Sequence, residues 1–102
     1  MKSEGQLKIS EALAGQVVLS KQGRDAGKYA VVVNVKDENF VYIADGVTRK
    51  VSAPKLKNIK HLKLTPYVLQ RVSEKLATGA ELHDADVSKG LKVFDKKEGE
   101  IG

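Results

Sequence analysis

A chain of 102 residues, 41% hydrophobic and 30% charged, has the size and composition of one globular domain and too much apolar content for a disordered segment. The absence of cysteine excludes disulfides and thiolate metal sites, and no apolar run approaches the roughly 20 residues that span a bilayer. A net charge of +5 and a pI of about 9.5 fit a polyanionic partner most simply, or else a merely soluble lysine-rich surface.

That charge is concentrated. Residues 15–64 carry ten Lys or Arg against four acids, whereas residues 1–14 are neutral and residues 65–102 sum to −1. Within residues 48–64, Arg49, Lys50, Lys55, Lys57, Lys60 and Lys63 occur with no acid among them.

In chain order, residues 1–14 read as a loose lead-in with a short helical turn through Ser10–Ala14. The opening Met-Lys-Ser-Glu-Gly-Gln-Leu-Lys lacks the apolar core of a secretory signal, so a cytoplasmic location is expected. Gln16–Ser20 predicts a first strand. Tyr29–Lys36, with Val31, Val32, Val33 and Val35, predicts a second, since a β-branched run favours a buried sheet. After the polar turn Asp37-Glu38-Asn39 comes a third strand, Phe40–Ala44.

Asp45-Gly46 carries a type I′ hairpin signal. That turn would place Tyr42 opposite Arg49 and Phe40 opposite Val51, with a fourth strand over Val47–Ser52 ending before Pro54. A fifth strand is expected over Asn58–Lys63, burying Ile59 and Leu62. Five short strands without an intervening helix make residues 15–64 a small barrel, a mainly β fold.

Periodicity then changes. Thr65 and Pro66 suit the N-cap and N1 positions of a helix, with Leu64 and Leu69 spaced as a hydrophobic staple. Leu69, Val72 and Leu76 form the apolar stripe, and Gly79 ends the helix. A second helix starts near Asp84 and lines up Val87, Leu91 and Phe94, although Gly90 weakens it by about 1 kcal/mol relative to alanine. Residues 65–95 are thus a helical extension, and residues 96–102 read as a disordered tail. So small a barrel buries little of its own surface, so the helices are expected to brace it.

Catalytic signals are weak. His61 and His83 have no adjacent nucleophile, and Asp84 and Asp86 are better explained as helix-start residues than as metal ligands. No enzyme activity, metal, cofactor or small-molecule substrate is expected. Gly23-Arg-Asp-Ala-Gly27-Lys28 has three residues between its glycines where a phosphate-binding P-loop has four, and Tyr29 stands where that motif needs Ser or Thr.

The same loop, with Gly15, Val18, Gly23, Arg24, Asp25, Gly27, Lys28 and Val31–Val33, resembles the KOW motif, whose glycine is carried here by Gly27. The likeness continues through Asp37–Val41 and through Asn58–Leu62 with Thr65-Pro66. That longer pattern resembles the family of the fourteenth protein of the archaeal and eukaryotic large ribosomal subunit, and the short bacterial KOW-domain proteins. Ala30 stands where many KOW motifs have glycine, and Asp45-Gly46 where the ribosomal proteins have a longer basic stretch. The resemblance implies an SH3-like barrel that binds ribosomal or other structured RNA.

Lys21, Gln22, Gly23, Arg24, Gly27 and Lys28 are accordingly the expected RNA contacts on the first loop, with Asp25 either orienting Arg24 or simply turning the chain. Arg49, Lys50, Lys55, Lys57, Lys60 and His61 form the second expected group, or else an ordinary solvated face. Tyr29 and Tyr42 are either stacking platforms for unpaired bases or partly buried barrel residues. The competing functional reading is a protein-interaction module of the transcription–translation machinery, docking through barrel and helices.

Overall fold

In the computed structural model, which describes residues 13–24 and 26–101 (the last seven of these as helical backbone only), three strands form where expected. They are β1 (Gln16–Ser20), β2 (Tyr29–Val35) and β3 (Phe40–Ala44). With β4 (Lys55–Asn58) and β5 (Leu62–Val68) they build one antiparallel sheet of order β4-β3-β2-β1-β5. A 3-10 turn, Ile59–His61, joins the two edge strands. Ile59 N–H donates to Asn39 O at the β2–β3 turn, and His61 O accepts from Lys21 N–H at 2.9 Å. Two helices follow, α1 (Gln70–Thr78) and α2 (Asp84–Ile101), and the whole is consistent with a small SH3-like barrel carrying a C-terminal helical pair.

The valine run is buried on both faces of the sheet. Val18, Val32, Val41, Ile43, Ile59 and Leu62 fill the barrel interior. Their neighbours Val17 and Val31 point the other way, against Val72 of α1 and Val87, Leu91 and Phe94 of α2. A strand covered on both sides needs consecutive apolar residues rather than alternation. The predicted helix stripes therefore do brace the barrel, with Leu69 and Leu76 packed at the margin of this second core.

Between β3 and β4 the sequence reading requires correction. Residues 47–52 form no strand, and Tyr42 pairs with Leu56 and Asn34 instead of Arg49. Asp45 is the reason: its Oδ1 accepts from both Val47 N–H and Arg49 N–H at 2.8 Å. The amides of Asp45 and Gly46 both donate to Arg49 O, so the chain closes on itself before a ladder can start. The loop then leans on α2, where Val51 N–H donates to Asp84 Oδ1 at 2.8 Å.

Residues 58–66 also differ from expectation. Asn58 caps the 3-10 turn by accepting from Lys60 N–H, so the expected fifth strand starts only at Leu62 and runs on to Val68. Thr65 and Pro66 lie inside that strand and do not start a helix. Thr65 Oγ1 donates to Val17 O at 2.7 Å, and Thr65 O accepts from Gln16 Nε2 at 2.7 Å. Pro66 is tolerated on an edge strand at the register shift between Gln16 and Val18. The staple is not formed, because Leu64 packs on the barrel core and Leu69, the N-cap, on the helical one.

Helix α1 ends at Gly79 as expected, while α2 continues through residues read as a disordered tail. Gly90 has a packing reason: a Cβ there would stand 2.6 Å from Leu69 Cδ1. Of the lead-in, residues 1–12 lie outside the described residues, as does Asp25 of the first loop.

Candidate nucleic-acid interface

The β1–β2 loop is held by three backbone bonds. Ser20 N–H donates to Lys28 O and Gly27 N–H to Ser20 O, at 3.0 and 2.8 Å, and Ala26 N–H donates to Gly23 O at 3.1 Å. Both Gly23 (φ +86°) and Gly27 (φ +87°) lie in the left-handed region, so the bend depends on residues without a Cβ. Lys21, Gln22, Arg24 and Lys28 are all exposed on it. Their cations stand in solvent with the backbone beneath them fixed.

The second expected group divides in two. Lys57 joins the loop: its Nζ donates to Gln22 O at 3.3 Å and lies 3.8 Å from where a Cβ on Gly23 would stand. Lys55 and Lys57 pair with Ile43 and Val41, which face the barrel interior, while Leu56 between them pairs with Tyr42. Half-buried lysines on that side of an edge strand cover the core with their methylene stems and carry the ammonium to the rim. His61 is half-buried, and its carbonyl is fastened to the Lys21 amide; Lys60 beside it is exposed. Two hydrogen bonds thus tie the Lys21–Gly23 stretch to Lys57 and to the 3-10 turn that carries Lys60 and His61. Arg49 and Lys50 lie elsewhere, on the segment that Asp45 folds up and Asp84 ties to α2.

Tyr29 is half-buried, its ring meeting Phe94 edge-on with centroids 4.9 Å apart, and Tyr67 meets Phe94 from another side at 5.1 Å. Tyr42 is half-buried on the outer face between Asn34 and Leu56. Asp86, which the sequence suggested as a helix-start residue, does that and more. Its Oδ2 accepts from His83 N–H at 3.0 Å and from Lys75 Nζ at 2.7 Å, and Arg71 stands 3.7 Å from Oδ1. The Lys75 ammonium and the His83 amide hold its carboxyl below the ordinary 3.8, and the group pins α1 to α2. Among the described residues, no cluster of three His, Cys, Asp or Glu could hold a metal ion, and no helix is long and apolar enough to cross a membrane.

Sequence reasoning missed Lys92. It lies on α2 yet borders the same cleft as Gly27 and Lys28. One of four lysines in a near-neutral helix gives no signal of that kind.

No protein-family model matches the chain. Three archaeal proteins called large ribosomal subunit protein eL14 do show similarity to it. That of Sulfolobus acidocaldarius is 29% identical over 83 residues, 81% of this chain and 84% of the relative. Those of Pyrobaculum arsenaticum and Methanococcus maripaludis are 43% and 41% identical over 51 residues, half of this chain and 50% and 60% of the respective relative. The chain is therefore similar to the archaeal large ribosomal subunit protein eL14, in agreement with the resemblance read from its glycine-bracketed loop and the segments after it.

Proposed function

We propose that the protein is a non-enzymatic RNA-binding protein of the cytoplasmic ribosome, gripping the sugar–phosphate backbone of structured ribosomal RNA with the β1–β2 loop and the adjoining β4 and 3-10 region. One observation carries this reading: the Lys21–His61 and Lys57–Gln22 bonds fasten two cationic segments, distant in sequence, to each other. Similarity to a large-subunit ribosomal protein supports it. Lys21, Arg24 and Lys28 supply the leading phosphate contacts, and the amides around Gly23 and Gly27 support them. Lys57, Lys60 and His61 extend the track. Arg49, Lys50 and Lys55 add long-range positive potential.

Filter binding to structured ribosomal RNA across a salt series tests this. Affinity is expected to fall with a log–log slope of about −0.9 per phosphate contact. Arg24→Glu on the exposed loop should weaken binding while leaving the far-UV spectrum unchanged. Salt-insensitive binding, or none, would refute the proposal.

A second reading has one observation in its favour. The outer row Asn34–Tyr42–Leu56, with Leu56 39% exposed, extends past the helix-covered part of the sheet as a surface for a protein of the translation machinery. Partners retained after nuclease treatment would favour it.

A further inference from the structure

Beside the cationic loop lies an open cleft of about 410 Å³, bordered by Lys28 and Tyr29 on the barrel, Asp45 and Val47 on the folded segment, and Leu91 and Lys92 on α2. Its size falls within the range of about 300–1,000 Å³ typical of small-ligand sites. We propose that this cleft takes one unpaired nucleobase, extruded from the RNA whose backbone the loop grips; the inference rests on the RNA-binding reading and extends it to α2.

The distribution of charge selects the occupant. Lys28 and Lys92, both exposed, line the cleft from two different elements, one from the loop and one from the helix. They provide cations for the phosphates on either side of an extruded nucleotide. Asp45 sets a carboxylate among the lining residues, which disfavours a phosphate inside the cleft. That carboxylate is fixed, since its Oδ1 accepts from Val47 N–H and Arg49 N–H. Val47 (67% exposed), Leu91 and Tyr29 also line it, apolar surface suited to the face of a base. Val47 is a large apolar side chain left in solvent by a segment that is otherwise hydrogen-bonded down. A covering base gives it a partner. A nucleobase is apolar on its faces and anionic only through its backbone, so it matches a cleft lined by two cations and by apolar side chains.

The test uses the full chain and RNA hairpins that differ only in one internal bulged nucleotide, with each of the four bases in turn, against the fully paired hairpin. Filter binding at fixed salt is expected to favour the best bulged hairpin by about tenfold, as one stacked base supplies. With 2-aminopurine at the bulge, its fluorescence should change on binding. Lys92→Ala and Val47→Glu, both at exposed positions, should remove the preference and the fluorescence change. Lys89→Ala, on α2 outside this cleft, should keep both. Equal binding of paired and bulged hairpins, with ordinary salt dependence, overturns the cleft assignment and leaves backbone binding standing. Failure to bind any hairpin overturns both.

Discussion

Replacing Gly46 with alanine tests whether the 45–53 segment is a pad fitted to α2 or merely a surface loop. The residue has φ +80°, a left-handed conformation that costs a residue with a Cβ about 1–2 kcal/mol. Unlike most turn glycines, it is also buried against a helix. A Cβ there would run into the Asp84 carbonyl and stand 3.0 Å from Ser88 N and 3.1 Å from Ser88 Cβ. Two of these three atoms belong to helical backbone and cannot rotate away. The segment must therefore lift, which breaks the Val51–Asp84 bond at a further cost of about 1 kcal/mol or more. Together these terms give a loss of about 3 kcal/mol.

Gly27→Ala is the matched control. Its φ of +87° carries the same conformational cost, but a Cβ there meets nothing within 4 Å, so only about 1–2 kcal/mol should be lost. In urea, with m taken as about 2 kcal/mol/M, the unfolding midpoint should fall by about 1.5 M for Gly46→Ala and about 0.7 M for Gly27→Ala. Equal shifts would refute the reasoning, because they would show that the helix contact contributes nothing beyond the turn itself.

Asp86→Asn should destabilise the helical pair at neutral pH, where the carboxylate holds Lys75 and the His83 amide. Since the folded-state pKa lies below the ordinary 3.8, this contribution is fully present above the unfolded value and is lost as pH falls through the folded one. The stability gap between wild type and variant, from denaturant titrations at pH 7 and pH 3, should narrow at about pH 3; an unchanged gap would mean that the charge is not the source. Thr65→Val removes the hydroxyl that donates to Val17 O at 2.7 Å while keeping the β-branch. It should cost about 1 kcal/mol in the same assay, whereas a stabilised variant would show that the bond is dispensable.

What could be read in advance depended on whether backbone pattern or side-chain chemistry decided the local structure. β1 and β3 have the bounds expected, because their apolar content and flanking turns suffice to define a strand. The double burial of β2 follows from Val31 and Val32 being consecutive. The helix stripes were legible from their period, and Gly79 from its place at the end of one. The misread segments share a different cause. Asp45 satisfies the amides two and four residues further along the chain, and Asn58 caps a single turn, so each diverts the chain from a ladder that propensity alone favours. Thr65 and Pro66 fit a helix start as well as an edge strand, and the tie to Val17 and Gln16, across 48 and 49 residues, chooses the strand. Of the candidate site, the loop cations were visible as a cluster. Their junction with Lys57 and His61 depends on sheet closure, which no local pattern encodes.

The helices restrict where a partner can sit. Val31 and Val32 are both fully buried, on opposite faces of the same strand, so the centre of the sheet has no surface to offer. Contact is left to the strand ends, the edges and the outer row beyond the helices. At the end formed by the β1–β2 loop the chain places cations on fixed backbone. On β4 the Lys55-Leu56-Lys57 alternation keeps aliphatic stems over the barrel core while Lys57 reaches the loop. The same burial that stabilises the barrel sets α2 against β2 and carries Lys92 to within one cleft of Lys28. Bracing and recognition are therefore coupled. A change that loosens α2 from the sheet would alter the charge arrangement beside the loop without touching any of the loop's own residues.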